Sequence, residues 1–336
     1  MHRMLWIPLL MLVAGCGSPS FLLTPVANTN ELNEQQLEGG KGLSSGKILI
    51  IPIEGTLSNA RSEGLLQATE NPMSLFAQQL AKAETDSSIK AIVLRVNSPG
   101  GTVTASDAMF ELIKRYKSRT KVPVVASIQE IGASGAYYVS CAADRIVAQP
   151  TSLVGSIGVI FESIQFEGTL QKLGITTESV KSGSLKDMGS PFRSLKPRER
   201  AVMKAMIEED FSRFIRIVTD NRPVKEKPVA DLTEYEKEEY GGTYSGRVYS
   251  GDNALQLGLI DQVGLLQDAI ITARKLAKAE NAQVVMYIRP YGYGGSIYAS
   301  NNTPAPRSDV MKLQLPGSDS NQFLPAGFYY LWRPGL

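Results

Sequence analysis

The stretch Lys90–Gly101, KAIVLRVNSPGG, decides the fold predicted for this chain. It opens on a largely apolar run, the pattern of a strand buried on both faces of a parallel sheet. It ends in a glycine pair, whose backbone can approach a ligand closely because glycine has no side chain. An amphipathic helix pattern, TASDAMFELIKRYK, follows directly. Ligands of α/β sheets bind where strands end and helices begin, so this stretch predicts a functional edge as well as a fold.

Strand and helix patterns alternate on both sides of this stretch. Further strands are predicted in KILIIPIEG, KVPVVASI, DRIVAQP, GSIGVI, GITTESVKS and AQVVMYIRP. Further helices are predicted over 73–84, in GASGAYYVSCAA, near 163–173, from Pro197 to about Asp220, over much of 224–240 and in LLQDAIITARKLAKAE. This alternation favours the α/β class, with a mostly parallel sheet and right-handed crossovers.

One small serine, Ser134, lies in the segment GASGA at the predicted start of a helix. Its hydroxyl is a candidate nucleophile. The N–H of Gly135 and those of the Gly100-Gly101 pair are candidate donors to a developing oxyanion, each contributing roughly 3–4 kcal/mol to transition-state stabilisation. Taken alone, each motif is a weak signal, because serines and glycine pairs often serve only turns and helix caps.

The base that would take the serine proton cannot be histidine in a processed chain. The only histidine, His2, lies in a predicted leader. Ser-His-Asp and Cys-His catalysis are therefore excluded, as is any metal site that needs imidazole, and no cofactor is predicted. A lysine can act as base when burial lowers its pKa from about 10.4 to about 7–8. The segment KSGSLKDMGSP offers Lys181 and Lys186, and spacing alone does not choose between them.

The two ends of the chain differ in composition from its middle. Residues 1–15 contain a short positive end and an apolar run too short to span a bilayer, which predicts an export signal. Their close, VAGC, resembles the lipobox of bacterial lipoproteins, in which Cys16 is acylated. Residues 16–46 are then expected to be a flexible tether, residues 47–289 the catalytic domain, and residues 290–336 a low-complexity tail with an apolar end.

The net charge bears on possible partners, and the cysteine count bears on disulfide formation. The formal net charge of +2 gives no indication of a nucleic-acid partner. With Cys16 lipidated, only Cys141 remains, so no internal disulfide is expected. Cys141 follows YYVS on a predicted helix, where a small buried packing residue is expected.

Five ordered segments together resemble the signal peptide peptidase A family of serine peptidases, within the superfamily of Clp protease and crotonase. They are VNSPGG, GASGAYY, TSLVGSIGV, KSGSLKD and GRVYSG…A…LGLID, and the similarity covers roughly residues 47–289. The resemblance implies a Clp/crotonase-like fold, with repeated ββα-type units in a mostly parallel sheet and helices towards the C-terminus. It also implies that Ser134 is the nucleophile and Lys186 the general base. Ser156 is implied to orient the base, with Gly101 and Gly135 as oxyanion donors.

The activity implied is that of an endopeptidase that forms an acyl-enzyme and hydrolyses membrane-associated peptides such as signal-peptide remnants. Substrates are expected as extended strands with small or apolar side chains. The resemblance also implies a ring-shaped or dome-shaped homo-oligomer, in which we hypothesise that Lys186 reaches Ser134 from an adjacent subunit. With the lipid anchor, the expected location is the extracytoplasmic side of a bacterial membrane. Two alternatives stay open at this point: a crotonase-like acyl-CoA enzyme and a non-catalytic lipoprotein that scaffolds an envelope assembly.

Overall fold

The computed structural model of the chain describes residues 32–40, 46–59, 71–225, 242–289 and 327–332. The predicted leader, the acylation site Cys16 and most of the helix expected over 224–240 lie outside these ranges.

Strands of two sheets make up most of the described core. They are β1 Asn33–Glu38, β2 Lys47–Glu54, β3 Ile89–Ser98, β4 Gly100–Thr102, β5 Val124–Ala133, β6 Arg145–Ala148, β7 Leu153–Gly155, β8 Ile160–Glu162, β9 Val248–Tyr249, β10 Gln262–Val263, β11 Gln283–Ile288 and β12 Gly327–Leu331. The larger sheet runs β1-β11-β2-β3-β5-β6-β10, with β7 and β9 continuing from β5. All its pairings are parallel except β1 with β11 and β7 with β9. The predicted mostly parallel α/β sheet is thus confirmed.

Helices cover both faces of this sheet. They are α1 Pro72–Thr85, α2 Val103–Thr120, α3 Gly135–Ser140, α4 Glu167–Lys172, α5 Pro197–Asn221, α6 Gly251–Gln256 and α7 Leu266–Leu276. Along β2, Leu49 and Ile51 pack on the side of α1, α2 and α3, whereas Ile48 and Ile50 face α7. Alternate residues of a strand point to opposite faces, so a continuous apolar run such as KILIIPIE buries both.

The smaller sheet lies over the functional edge of the larger one. Its strand order is β4-β12-β8, and β12 is antiparallel to both neighbours. β4 follows β3 after a single proline, and α2 begins directly after β4. This strand-strand-helix arrangement is one of the predicted ββα units, and it carries the glycine pair of NSPGG to the edge.

Three expectations about local structure were wrong. Asn33–Glu38, placed in the flexible tether 16–46, is a strand paired with β11. The segment GITTESVKS, expected to be a strand, pairs with none of the described strands, has no regular structure and is almost entirely exposed. GSIGVI is split between the ends of β7 and β8. In the tail, Gly327–Leu331 packs on its own domain as β12, which answers one question that the sequence left open.

Candidate active site

The turn NSPGG is held by a buried serine. The hydroxyl of Ser98 donates to the carbonyl of Gly55 at 2.6 Å and accepts from the N–H of Gly100 at 3.1 Å. Gly100 has φ +99°, a conformation that residues with a Cβ rarely adopt. A Cβ at this position would lie 2.6 Å from the N of Gly135. The turn therefore needs glycine, and it brings the β3–β4 backbone against the start of α3.

Ser134 lies on a sharp turn between β5 and α3. It has φ +54° and ψ −119°, which is a strained conformation for a non-glycine residue and costs of order 1–3 kcal/mol. Its N–H donates to the carbonyl of Gly155 at 2.7 Å, and its side chain makes no capping bond to α3. A strained serine between a strand and a helix is the backbone arrangement of the nucleophile elbow in serine hydrolases. The sequence did not indicate it, because GASGA lacks the final glycine of the elbow motif.

The two expected oxyanion donors lie side by side. A Cβ on Gly135 would be 3.2 Å from the N of Gly101, so the two backbones are in close contact. Gly135 is the first residue of α3, and its N–H therefore has no acceptor within the helix. Both glycines therefore lie next to the strained serine, and their role as oxyanion donors stays a prediction.

Ser156 directly follows Gly155, whose carbonyl accepts the hydrogen bond from the N–H of Ser134. β7 is parallel to β5, with Ala133 opposite Gly155. Gly155 has φ +105° and Ser156 has φ +51°, so the chain turns sharply beside the nucleophile candidate. The N–H of Ser156 donates to the carbonyl of Arg247 at 2.7 Å, which ties this turn to the segment before β9. The side chain of Ser156 is buried, at 6% exposed.

The structure separates the two candidate lysines. Lys181 forms an ion pair with Asp187, with 2.5 Å between the amine and the carboxylate. Lys186 is exposed and makes no side-chain hydrogen bond or ion pair within the described ranges. The amine of Lys181 is therefore already engaged by a carboxylate. Neither lysine reaches Ser134, which is buried at 1% exposed and makes no side-chain hydrogen bond to either of them.

A charged network that sequence reasoning missed anchors the loop that carries Lys186. Arg193 donates to Asp187 at 2.8 Å and to both oxygens of Glu199 at 2.6 and 2.9 Å. The hydrogen bonds from Arg193, and then those from Lys181, hold the pKa of Asp187 far below its usual range. The hydrogen bonds from Arg193 also lower the pKa of Glu199 to about 2. This network fixes the loop against the start of α5, and Lys186 forms no ion pair with any residue that the structure describes.

β12 packs against the glycines of the candidate site, and the sequence analysis did not predict a strand at this position. Tyr330 of β12 is fully buried and lies opposite Gly101 in the antiparallel register. A Cβ on Gly100 would lie 2.1 Å from the carbonyl oxygen of Tyr330, and one on Gly135 would lie 3.0 Å from it. The signal in the sequence was the aromatic run FYYLW, whose apolar character predicted packing but not its place.

No group of His, Cys, Asp and Glu side chains among the described residues could hold a metal ion. None of the helices in that part of the chain is long and apolar enough to cross a membrane.

Comparison with known proteins defines the class first. A family model for Clp protease matches residues 53–154, which agrees with the Clp/crotonase-like fold expected from the sequence. The model for peptidase family S49 matches residues 116–280, a range that contains Ser134, Ser156 and Lys186. The chain therefore belongs to peptidase family S49, and it is a serine peptidase that hydrolyses peptide bonds.

Individual relatives support this assignment. A candidate signal peptide peptidase SppA of Enterococcus faecium is 32% identical over 259 residues, which cover 77% of this chain and 71% of the relative. A candidate protease of Methanocaldococcus jannaschii is 34% identical over 227 residues, which cover 68% of this chain and 69% of the relative. Protease 4 of Haemophilus influenzae is 32% identical over 230 residues, covering 68% of this chain and 35% of the relative. These similarities favour the peptidase over the acyl-CoA enzyme and the scaffold.

Proposed function

We propose that the chain is an endopeptidase with a Ser134–Lys186 dyad. The uncharged amine of Lys186 takes the Ser134 proton as Oγ bonds to the substrate carbonyl carbon. The resulting oxyanion accepts hydrogen bonds from the N–H groups of Gly101 and Gly135. As the tetrahedral intermediate collapses, the protonated lysine gives its proton to the departing amine, and an acyl-enzyme remains. The lysine then takes a proton from water, which attacks the ester and releases the acyl product while Ser134 regains its proton.

The observation that carries this proposal is the strained turn at Ser134. Strain at a non-glycine residue persists only where the surrounding structure enforces it, and such strain clusters at active sites. Here the enforcing contacts come from Gly155 behind the serine and from the glycine pair in front of it. A serine that only capped a helix would accept a bond from the first turn of α3, and Ser134 makes no such bond.

Lys186 is the proposed base because its neighbour Lys181 is occupied by Asp187. An amine surrounded by water stays protonated at neutral pH and cannot accept a proton. Lys186 is exposed in the single chain, so the proposed dyad requires that another surface cover it. A second copy of the chain, as in the ring or dome expected from the family, would supply that surface and would carry Lys186 to the Ser134 of its neighbour.

Exposed apolar side chains support association between copies. They are concentrated from β8 to the start of α5: Ile160, Ile164, Phe166, Leu173, Ile175, Val180 and Phe192, from 37% to 97% exposed. Large exposed apolar patches mark interaction sites in soluble proteins. The same region contains the loop with Lys186, so burying it would also take the amine out of water.

The proposed substrates are membrane-associated peptides such as signal-peptide remnants, bound as extended strands. We further propose that acylated Cys16 tethers the protein to the extracytoplasmic face of a bacterial membrane. This proposal rests on the lipobox-like sequence before Cys16 and on the names of the relatives. Labelling with radioactive palmitate checks it: wild type should incorporate the label and Cys16→Ala should not.

The dyad is tested with peptide hydrolysis and with a fluorophosphonate probe that labels activated serines. We expect Ser134→Ala to lose both turnover and labelling. We expect Lys186→Met to lower kcat by about 10²–10⁴-fold, the typical contribution of a general base. Lys181→Met is the matched control, since it removes an amine from the same loop, and it should retain most activity. Activity that survives Lys186→Met but not Lys181→Met would contradict the assignment of the base.

A further inference from the structure

β5 exchanges one partner strand for another just before it reaches Ser134. Residues 125–128 pair with β6, whereas residues 131–133 pair with β7. The second pairing ends with Ala133 opposite Gly155. The carbonyl of Gly155 then accepts the hydrogen bond from the N–H of Ser134. The position of the proposed nucleophile therefore depends on how β5 passes from β6 to β7.

A bulge in β5 lies at this exchange. The register against β3 runs from Val96 opposite Ile128 to Ser98 opposite Gly132. Asn97 alone therefore faces three residues of β5. The extra residues bend the strand sharply, since a Cβ on Gly132 would lie 2.7 Å from two side-chain carbons of Ile128. Bulges re-aim the side chains beyond them and are over-represented next to active sites.

The hydroxyl of Ser152 holds the bulge on the side of β7. Ser152 is fully buried and directly precedes β7. Its hydroxyl donates to the carbonyl of Gln129 and, at 3.2 Å, to that of Ile128. It accepts from the N–H of Gln149 at 3.0 Å. One short side chain thus joins the bulge to the connection between β6 and β7.

The side chain of Asn97 holds the bulge on the side of β3. Its oxygen accepts from the N–H of Ile131 at 3.2 Å. The backbone carbonyl of Asn97 accepts from the N–H of Gly55, also at 3.2 Å, so the residue is itself tied to the chain that follows β2. Buried backbone groups need hydrogen-bond partners, and a bulge interrupts the ladder that normally supplies them. Two side chains supply such partners here.

We infer that Ser152 and Asn97 are positioning residues for Ser134, and that they act by fixing the bulge in β5. This inference rests on the proposed function, since it takes Ser134 as the nucleophile. A strained conformation such as that of Ser134 persists only where the surrounding structure enforces it. Ser152 fixes the start of β7, and Gly155 at the end of β7 holds the serine. Loosening the bulge therefore lets the strained turn relax and moves the hydroxyl of Ser134.

Ser152→Ala removes the hydroxyl that joins the bulge to β7. It should lower kcat and the rate of fluorophosphonate labelling by about 10–10²-fold, because a displacement of about 1 Å can cost 10²-fold in rate. KM and the final extent of labelling should stay close to those of wild type. Ser152→Thr keeps a hydroxyl at this position and should keep most of the wild-type rate.

Ser140→Ala is the matched control. Ser140 is equally buried, and its hydroxyl donates to the carbonyl of Ala136 within α3 at 2.7 Å, away from the bulge. The control should label at close to the wild-type rate. A purely structural role of Ser152 predicts a different result for Ser152→Ala: a smaller fraction of protein that labels, at the wild-type rate. That result would overturn the inference.

Asn97 gives a second approach to the same bulge, which serves even if Ser152→Ala fails to fold. Asn97→Ala should slow labelling of Ser134, whereas Asn97→Asp keeps an acceptor oxygen and should slow it less. In Asn97→Ala/Ser152→Ala the two effects should not multiply, because residues that share one structural element are coupled. Effects that multiply fully would show that the two side chains do not act through one bulge.

Hydrogen–deuterium exchange with mass spectrometry separates this inference from the proposed function. Residues 128–134 should exchange faster in Ser152→Ala than in wild type, and α7 should not change. Slower labelling without faster exchange, or faster exchange without slower labelling, would overturn the inference and leave the peptidase standing. A wild-type protein that neither labelled nor hydrolysed peptides would contradict the peptidase. Faster exchange in Ser152→Ala would then still support a bulge fixed by Ser152, and unchanged exchange would overturn it.

Discussion

Gly101 shows how a single missing side chain allows two backbone segments to approach closely. A Cβ at this position would be 1.9 Å from the carbonyl oxygen of Leu57, far inside any real contact. The neighbouring backbone is fixed by reciprocal bonds, in which Leu57 donates to Gly100 and Thr102 donates to Leu57. Any side chain at position 101 therefore has to displace the strand that carries the proposed oxyanion donor.

Gly101→Ala should lower kcat by about 10²–10³-fold, the loss expected when one oxyanion donor moves away from its acceptor. Gly168→Ala in α4 is the control, because a Cβ there meets nothing within 4 Å. Steady-state kinetics and the melting temperature should be measured on both variants. An active Gly101→Ala enzyme with an unchanged kcat would remove Gly101 from the site.

Cys141 illustrates the opposite case, a reactive residue type made inert by its surroundings. It is fully buried in the aromatic core beneath α3, and burial raises the pKa of its thiol to about 12. The thiolate is the reactive form, so iodoacetamide should not modify this residue in the native protein at pH 8. Mass spectrometry should show labelling only after denaturation in guanidinium chloride. Modification of the native protein at a comparable rate would show that the thiol is accessible.

At the scale of elements, the loop before α5 is fastened by Arg193 and its carboxylate partners. The side chain of Glu199 is 1% exposed and is the buried member of this set. It also accepts from the N–H of Lys196 at 3.0 Å, which caps the first turn of α5. The segment KSGSLKD is therefore positioned by residues that follow it in sequence.

This network predicts an acid dependence of stability. The pKa of Glu199 is lowered from 4.5 to about 2 by the hydrogen bonds from Arg193, so its ionised form is favoured in the folded protein. A lowered folded-state pKa stabilises the protein above pH 4.5, and this contribution is lost as the pH falls towards 2. Urea unfolding should find Glu199→Gln less stable than wild type at pH 7, with a difference that shrinks between pH 4.5 and pH 2.

Glu208→Gln is the matched control, because its carboxylate is 65% exposed and, among the described residues, forms an ion pair with Lys204 on α5 alone. Exposed pairs of this kind contribute about 0.3–0.5 kcal/mol. A stability difference for Glu199→Gln that stays constant over the whole pH range would show that the carboxylate does not act through its charge.

At the scale of the whole molecule, one chain presents the proposed nucleophile Ser134 buried and the proposed base Lys186 exposed. If Lys186 acts on the Ser134 of a neighbour, Ser134→Ala and Lys186→Ala subunits can each supply what the other lacks. Mixing the two inactive variants under conditions that allow subunit exchange should restore partial peptide hydrolysis. For a random mixture we expect roughly a quarter of the interfaces to pair an intact serine with an intact lysine, because each chain is chosen independently.

Each variant alone should stay inactive, and a mixture of Ser134→Ala with Ser134→Ala/Lys186→Ala is the control for exchange itself. An inactive mixture of the two single variants, at a concentration where size-exclusion chromatography shows mixed oligomers, would place both groups of the dyad in one chain.

How well each element could be predicted depends on how far apart in the sequence its interacting residues lie. The strands KILIIPIE and KAIVLRV and the helix TASDAMFELIKRYK were predictable, because burial on one or two faces leaves a local periodicity. The strand predicted for GITTESVKS was wrong, although its residues have strand propensity. The segment pairs with none of the described strands, and tertiary context overrides propensity. NEQQLE was missed for the converse reason, since its polar residues gain a partner in β11 from the far end of the chain.

The sequence by itself determined the α/β class, the glycines beside Ser134, the absence of histidine from the described chain and the family to which the chain belongs. Those features depend on residue identity and on spacing within short segments. Only the tertiary structure decided that Ser134 is strained, that Asp187 occupies Lys181 while Lys186 is left unpaired, and that β12 lies over the site. The reason is physical: the strain at Ser134 and the place of β12 arise from contacts between segments distant in sequence, and the Lys181–Asp187 pair forms within an irregular loop. None of these contacts leaves a periodic pattern along the chain.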